Sequence, residues 1–376
     1  MFEIRIAGKA EDIGAEKWHS VYPGDYPFLS YEFIHALEQT RCVCDETGWY
    51  PLHLIIEQQQ QLIAILPLYL KTHSWGEYVF DWAWADAYER HQLEYYPKLL
   101  TAAPYTPAWG PRLLTRQDPD QLWQALAKML PQLCDQLNCS SWHGLFLSPA
   151  EQQSLASSAT VSRLGCQYHW FNEGFSDFTQ FLATFNSRKR KNLRKERQKA
   201  QQQAEIKRVQ GEQINDLELR QFYRYYHNTY LKRGRSGYLN LEFFQQLIET
   251  MAPQLMMVQA WQQDRMIAAA LFFKDDSSLY GRYWGSDDDY QHLHFECCYY
   301  QGIEYCIEQG LKRFDPGAQG EHKIQRGFRP VETWSVHWIQ HSGFRDAVSD
   351  FVVQEEQQMR QLMLDLETKL PFKNND

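Results

Sequence analysis

A chain of 376 residues exceeds the size at which one hydrophobic core usually keeps growing, which predicts two domains. Aromatic residues at 15% beside charged residues at 23% exclude a disordered chain and describe a globular protein with broad binding surfaces, although the net charge is −9. The longest apolar runs, Leu62 to Leu70 and Met266 to Phe273, are too short to span a bilayer, and Met1 to Ala15 lacks the apolar core of a secretory signal.

Eight cysteines, at 42, 44, 134, 139, 166, 297, 298 and 306, form no C-x-x-C pair and no repeated spacing, so neither a metal nor a disulfide framework is expected. A reducing, cytoplasmic setting fits that usage. His294-x-Glu296 followed by Cys297 and Cys298 has no P-C-x-x-C partner, and these read as ordinary helix positions.

In the first half, Leu52 to Ile56 reads as a strand, a polar Gln-rich turn follows, and Leu62 to Leu70 is apolar, which together predict a β-hairpin. Residues Glu57 to Leu70 align without gaps on Trp261 to Lys274 at an offset of 204, and Trp84, Leu93 and Tyr95 meet Trp284, Leu293 and Phe295 at an offset of 200. Two related α/β halves account for this, as would the shared composition of two hairpins. Aromatics crowd the segment Phe80 to Asp86, F-D-W-A-W-A-D. There Asp81, Trp82, Trp84 and Asp86 suit a glycan or an ammonium group, or equally an aromatic core whose indoles need acceptors. Helical periodicity follows at Trp123, Leu126, Leu130, Leu133 and Leu137, then a strand at Leu145 to Leu147.

The second half predicts helices over Ser176 to Phe185, Ser187 to Gln202, Asn215 to Lys232, Leu241 to Met251, Leu293 to Gln309 and Phe344 to Leu370. Strands are predicted over Ile206 to Val209, Leu255 to Ala260, Met266 to Phe273, Leu279 to Trp284, Leu311 to Phe314 and Thr333 to Ile339. The order gives a mixed α/β fold, helices flanking mixed sheets, divided at residues 1–160 and 161–376. Arg188 to Lys199 carries eight Lys or Arg and one Glu, a local +7 that leaves −16 for the remainder. Arg188, Arg190 and Arg194 there suit a polyanion or a phosphate-bearing ligand, unless nearby carboxylates neutralise them.

Between two predicted strands lies D-P-G-A-Q-G-E-H-K-I-Q-R-G-F, Asp315 to Phe328. Its small residues let the backbone approach a ligand, and Glu321, His322, Lys323 and Arg326 gather a candidate base, acid and anion anchor within six residues. A solvated β-hairpin with surface charge is the plainer alternative.

Several stretches, Phe28 to Leu37, Tyr78 to Ala87, Ser187 to Arg197, Leu279 to Gly285, His294 to Gly302 and Phe314 to Phe328, resemble tandem GNAT-type acyltransferases of the Fem peptidoglycan aminoacyltransferase group. The wording is closest to a peptidoglycan biosynthesis or recognition branch. That resemblance implies two tandem GNAT-like domains and transfer of an acyl or aminoacyl group to an amine, with acetyl-coenzyme A or aminoacyl-tRNA as donor. A cell-wall precursor or other amine-bearing molecule is the implied acceptor, with tRNA held through Arg188 to Lys199. In Fem-like enzymes a lysine in the loop after the penultimate strand lies near the transfer centre, which corresponds to Lys323. Glu321 or His322, with Asp315 as alternative, is then the general base, and Tyr283 either the acid or a packing residue. Asp287, Asp288 and Asp289 replace the turn that cradles a pyrophosphate in ordinary GNAT domains, which speaks against coenzyme A. A precursor- or glycan-binding protein without turnover and an RNA-binding protein are the other readings.

Overall fold

The structure is a computed structural model that describes residues 2–22, 24–157, 159–232, 234–318 and 320–373. It divides into two compact units, one of residues 1–166 with 332–362 and the other of 167–331 with 363–376. The sequence placed its boundary after residue 160. The chain changes unit within the strands Val161–Phe171 and Arg329–Ile339 and within the helix Ser342–Glu367.

The first unit contains a four-stranded sheet in the order Glu3–Ala7, His53–Gln58, Gln61–Leu66, Leu114–Thr115, antiparallel throughout. A second set of strands runs from Arg329–Ile339 through Ser141–Leu147, Lys98–Thr101 and Tyr69–Lys71 to Trp49–Pro51. The helix Pro119–Gln136 begins at an Asp118 cap with proline in its first turn, a favourable start. Its periodic residues Leu122, Trp123, Leu126, Leu130 and Leu133 bury one stripe in a core with Leu54, Ile56, Leu66 and Trp142.

In the second unit, Glu205–Gln210, Leu255–Gln262, Arg265–Lys274 and Ser278–Ser286 form an antiparallel meander, and Arg313–Asp315 then joins parallel to the last of them. The helix Asp216–Leu231 lies so close to that strand that a Cβ on Gly285 would fall 2.2 Å from the Tyr225 carbonyl carbon. Only glycine fits there. The helices Ser187–Gln203, Asp216–Leu231 and Leu241–Met251 match the predicted ones within a residue or so.

The two hairpins repeat each other in detail. Ile56 pairs with Ala64 and Glu57 with Leu62, with a bulge between, while Ala260 pairs with Ala268 and Trp261 with Met266 around a bulge at the equivalent place. Gln59 and Gln263 both take positive φ in the turns. The alignment at an offset of 200 does not hold. Trp84 lies in the helix Trp82–Arg90 and Trp284 in a strand, because alanines space the first aromatics whereas Y-G-R-Y-W favours extended backbone.

Candidate functional site

The loop that begins at Asp315 lies in the second unit, and the alternative of a simple hairpin fails. Arg313–Asp315 pairs with Ser278–Ser286 and with Val161–Phe171, and not with Arg329–Ile339. Within the loop, Glu321–Arg326 winds into a 3-10 turn entered and left through Gly320 and Gly327, both at positive φ. Gln319 lies outside the described residues.

Lys323 is 1% exposed, and its Nζ donates to the Gly317 carbonyl at 2.6 Å. Burial brings its pKa down to about 8, against the upward pull of Asp315 and with a further downward push from Arg282. At neutral pH the amine is therefore mostly protonated but easily deprotonated. The Arg282 guanidinium grips Asp315 through both oxygens, at 3.2 and 2.7 Å. Burial alone would push the Asp315 carboxyl up, but Arg282, and then the nearby His169 ring, outweigh it and hold the carboxyl well below the usual range. A carboxylate so locked is a poor proton acceptor, which removes Asp315 as general base.

His322 shares a hydrogen bond with the Tyr299 hydroxyl at 2.9 Å, and burial, with help from Arg326 and Lys323, lowers its pKa. Its imidazole is therefore neutral at pH 7, and the same burial and cations make it a weaker base than an ordinary histidine. Glu321 is exposed beside it. Arg326 is not an open anion anchor. Its side chain lies on the Phe295 ring and pairs with Glu196 at 2.9 Å, and Glu196 also accepts from the Tyr300 hydroxyl. Tyr283 is buried among Phe244, Tyr226 and Phe273 and acts as a packing residue.

Glu196 belongs to the helix Ser187–Gln203, as does Lys189, which donates to Gln325. The helix is thus tied at two points to the loop that carries Lys323. Arg197 is neutralised by Glu296 and Glu304. The other six cations, Arg188, Arg190, Lys191, Arg194, Lys195 and Lys199, have no ion pair among the described residues. Direct pairing therefore does not neutralise these six, and the turn of 100° per residue places Arg188, Lys191 and Lys195 opposite Leu193 and Ala200, the buried pair, with Arg194 and Lys199 to the sides and Arg190 on the flank nearer Leu193. A groove of about 950 Å³ borders this helix, lined by Arg194, Gln198, Gln201, Arg208, Gln301 and Glu304 among others; Lys323 is not part of it.

In the first unit, Asp81 is not a ligand wall but part of a buried charge network. Lys98, fully buried, donates to Ser74 at 2.8 Å, Glu77 at 2.8 Å and Asp81 at 2.5 Å, and Tyr95 donates to Asp81 at 2.6 Å. Lys71 is buried nearby, 3.8 Å above the Trp49 ring. Trp84 is also interior, against the rings of His143 and His337, whose Nδ1 atoms lie 2.6 Å apart. Trp82 packs tilted against Trp75, with ring centroids 4.8 Å apart; Trp75 is 41% exposed, and Asp86 is exposed. Sequence reasoning missed Arg282, His169, Tyr299, Glu196 and Lys98. The signal for Arg282 and Lys98 was a cation inside a strand of apolar and aromatic residues, in Y-G-R-Y-W and P-K-L-L.

Among the described residues no three His, Cys, Asp or Glu side chains are grouped to hold a metal, and no helix is long and apolar enough to cross a membrane. Residues 9–374 match the FemAB-like family, described as peptidoglycan biosynthesis/recognition, and the chain belongs to that family. A search of curated proteins found no match. Among solved structures, the chain is similar to FemX, at 10% identity and a TM-score of 0.54 over 92% of this chain and 100% of that one. It is similar also to the C-terminal domain of a candidate lysylphosphatidylglycerol synthetase from Agrobacterium fabrum, at 11% identity and a TM-score of 0.53 over 92% and 96%. At such identities the likeness is one of fold.

Proposed function

We propose that the chain is an N-acyltransferase that moves an aminoacyl or acyl group to the amine of a cell-wall precursor, with the transfer centre at the Lys323 loop. The observation that carries this reading is Lys323 itself: a buried ammonium whose one hydrogen-bond partner among the described residues is the Gly317 carbonyl, which leaves N–H donors for an oxyanion. A tetrahedral intermediate at an acyl carbonyl would gain most from such a charge in a site screened from water. His322, neutral and exposed at its edge, takes a proton from the acceptor ammonium, with Glu321 beside it; the free amine then attacks the acyl carbonyl, the acyl bond to the donor breaks as the amide forms, and the departing donor group takes up the proton the amine nitrogen releases.

A charged tRNA is the donor best supported, because six cations with no ion pair among the described residues share a helix with the residues that hold the loop. Acetyl-coenzyme A is less well served. Asp287 is held by Arg265 and Asp289 by Lys232, so carboxylates occupy the turn where a pyrophosphate would need backbone amides. Incubation with tRNA carrying a radiolabelled amino acid and a precursor peptide tests this. Label on the peptide that is lost in Lys323→Ala is the expected result, whereas binding of both partners without transfer would show a recognition protein instead.

A further inference from the structure

We propose that Arg282 is a positioning residue for Lys323, acting through the Asp315 carboxylate and the Gly317 backbone. Its catalytic consequence rests on the transfer reading above; its geometry does not. Arg282 is the extra residue of a β-bulge: Phe272 faces Gly281 and Leu271 faces Tyr283, so nothing on the neighbouring strand opposes Arg282. Bulges turn a side chain away from its ladder position. The released guanidinium, 3% exposed, closes a two-pronged pair on Asp315, which is the last residue of the adjacent parallel strand.

Asp315 Oδ1 also accepts the Gly317 N–H at 2.9 Å, and the Gly317 carbonyl accepts from Lys323 Nζ. Gly317 sits at φ 94°, a conformation a side chain would resist, so the carboxylate and the glycine together fix where that carbonyl points. The relay is short, its three side chains are buried and Gly317 is partly so, and each member has a defined donor or acceptor. The charged and titratable groups facing Lys323 are Asp315 on its strand, Arg282 on the next, His169 across the sheet, Cys298 and Tyr299 on the helix, and His322 in its own turn. Of these, Arg282 and Asp315 push the amine in opposite directions.

That opposition makes the lock testable without any transfer assay. The probe is the 13Cε resonance of Lys323 in protein labelled with 13C-lysine, assigned by its loss in Lys323→Arg and followed against pH. Arg282→Gln is expected to raise the Lys323 titration by about a unit or more, since Asp315 then acts on the amine alone. Asp315→Asn is expected to lower it, since Arg282 remains. If Arg282 merely braces the strand, both variants admit water and both raise the titration toward an ordinary lysine, which overturns the proposal. Arg282→Lys keeps the charge and loses the fork, and serves if the glutamine variant does not fold. A rise in it together with a fall in Asp315→Asn supports the lock, whereas a rise in both, or a value in Arg282→Lys that stays at wild type, overturns it. Because these titrations read the amine itself, failure of the transfer reading would leave them in place and appear only as missing product.

Discussion

Lys98 is the residue on which the first unit's buried charge turns. Removing it would leave the Glu77 and Asp81 carboxylates in the interior without their cation, and each has an oxygen that already lacks a hydrogen-bond partner. Lys98→Met is expected to cost about 3–5 kcal/mol in urea unfolding at pH 7, far more than loss of an exposed ion pair such as Arg41–Asp45. Glu77 adds a pH signature. Burial raises its pKa to about 7 even though Lys98 pulls the other way, while an unfolded glutamate titrates near 4.3. A group raised in the folded state stabilises fully below its unfolded value, and that contribution disappears as pH rises through about 7. Glu77→Gln should therefore make the slope of stability against pH more positive than in wild type between about pH 4.3 and 7, and an unchanged slope would show that Glu77 is not the group titrating. The His143–His337 pair is held neutral chiefly by burial, while unfolded histidines titrate near 6.5, so its contribution has the opposite sign and is lost as pH falls below about 6.5; the Glu77 signal is therefore read as the difference between wild type and variant.

At the scale of elements, the helix Ser187–Gln203 holds together without a conventional apolar stripe. It buries only Leu193 and Ala200, and its attachment comes from Arg197 with Glu296, Glu196 with Arg326, and an Asn186 cap. Its free face is therefore available to a polyanion. Replacing Arg194 and Lys195 by glutamine should leave unfolding unchanged and reduce the salt dependence of tRNA binding by about 0.7–0.9 in log–log slope per cation. Equal slopes for wild type and variant would place the RNA elsewhere. The strand Ser278–Ser286 and helix Asp216–Leu231 make a different demand. Gly285→Ala puts a methyl into the Tyr225 backbone, and a loss of at least about 1–3 kcal/mol is expected in urea unfolding.

For the whole molecule, a net −9 combined with a +7 helix concentrates attraction for polyanions on one element while the remainder repels them. Charged tRNA at 100 times its dissociation constant should stabilise the protein by about 2.7 kcal/mol in thermal unfolding, and acetyl-coenzyme A should give no shift. A clear shift with acetyl-coenzyme A would reverse the choice of donor. The repeated hairpins, with matching registers and bulges, give both units the same structural kernel.

The sequence by itself determined the mixed α/β class, most helices of the second unit, the repeated hairpin and the basic run, because each is a local pattern of apolar spacing or charge. It also marked the Asp315 to Phe328 loop and Lys323 as candidates, from local composition alone. It did not reveal that Asp315 is locked, that Arg326 serves Glu196 and that Asp81 is interior, because burial and ion pairing depend on residues distant in the chain. Arg282 and Asp315 are 33 positions apart, and Lys98 and Asp81 are 17. Only the tertiary structure decided those partnerships, since a charge keeps or loses its availability according to what the fold brings within a few ångströms of it.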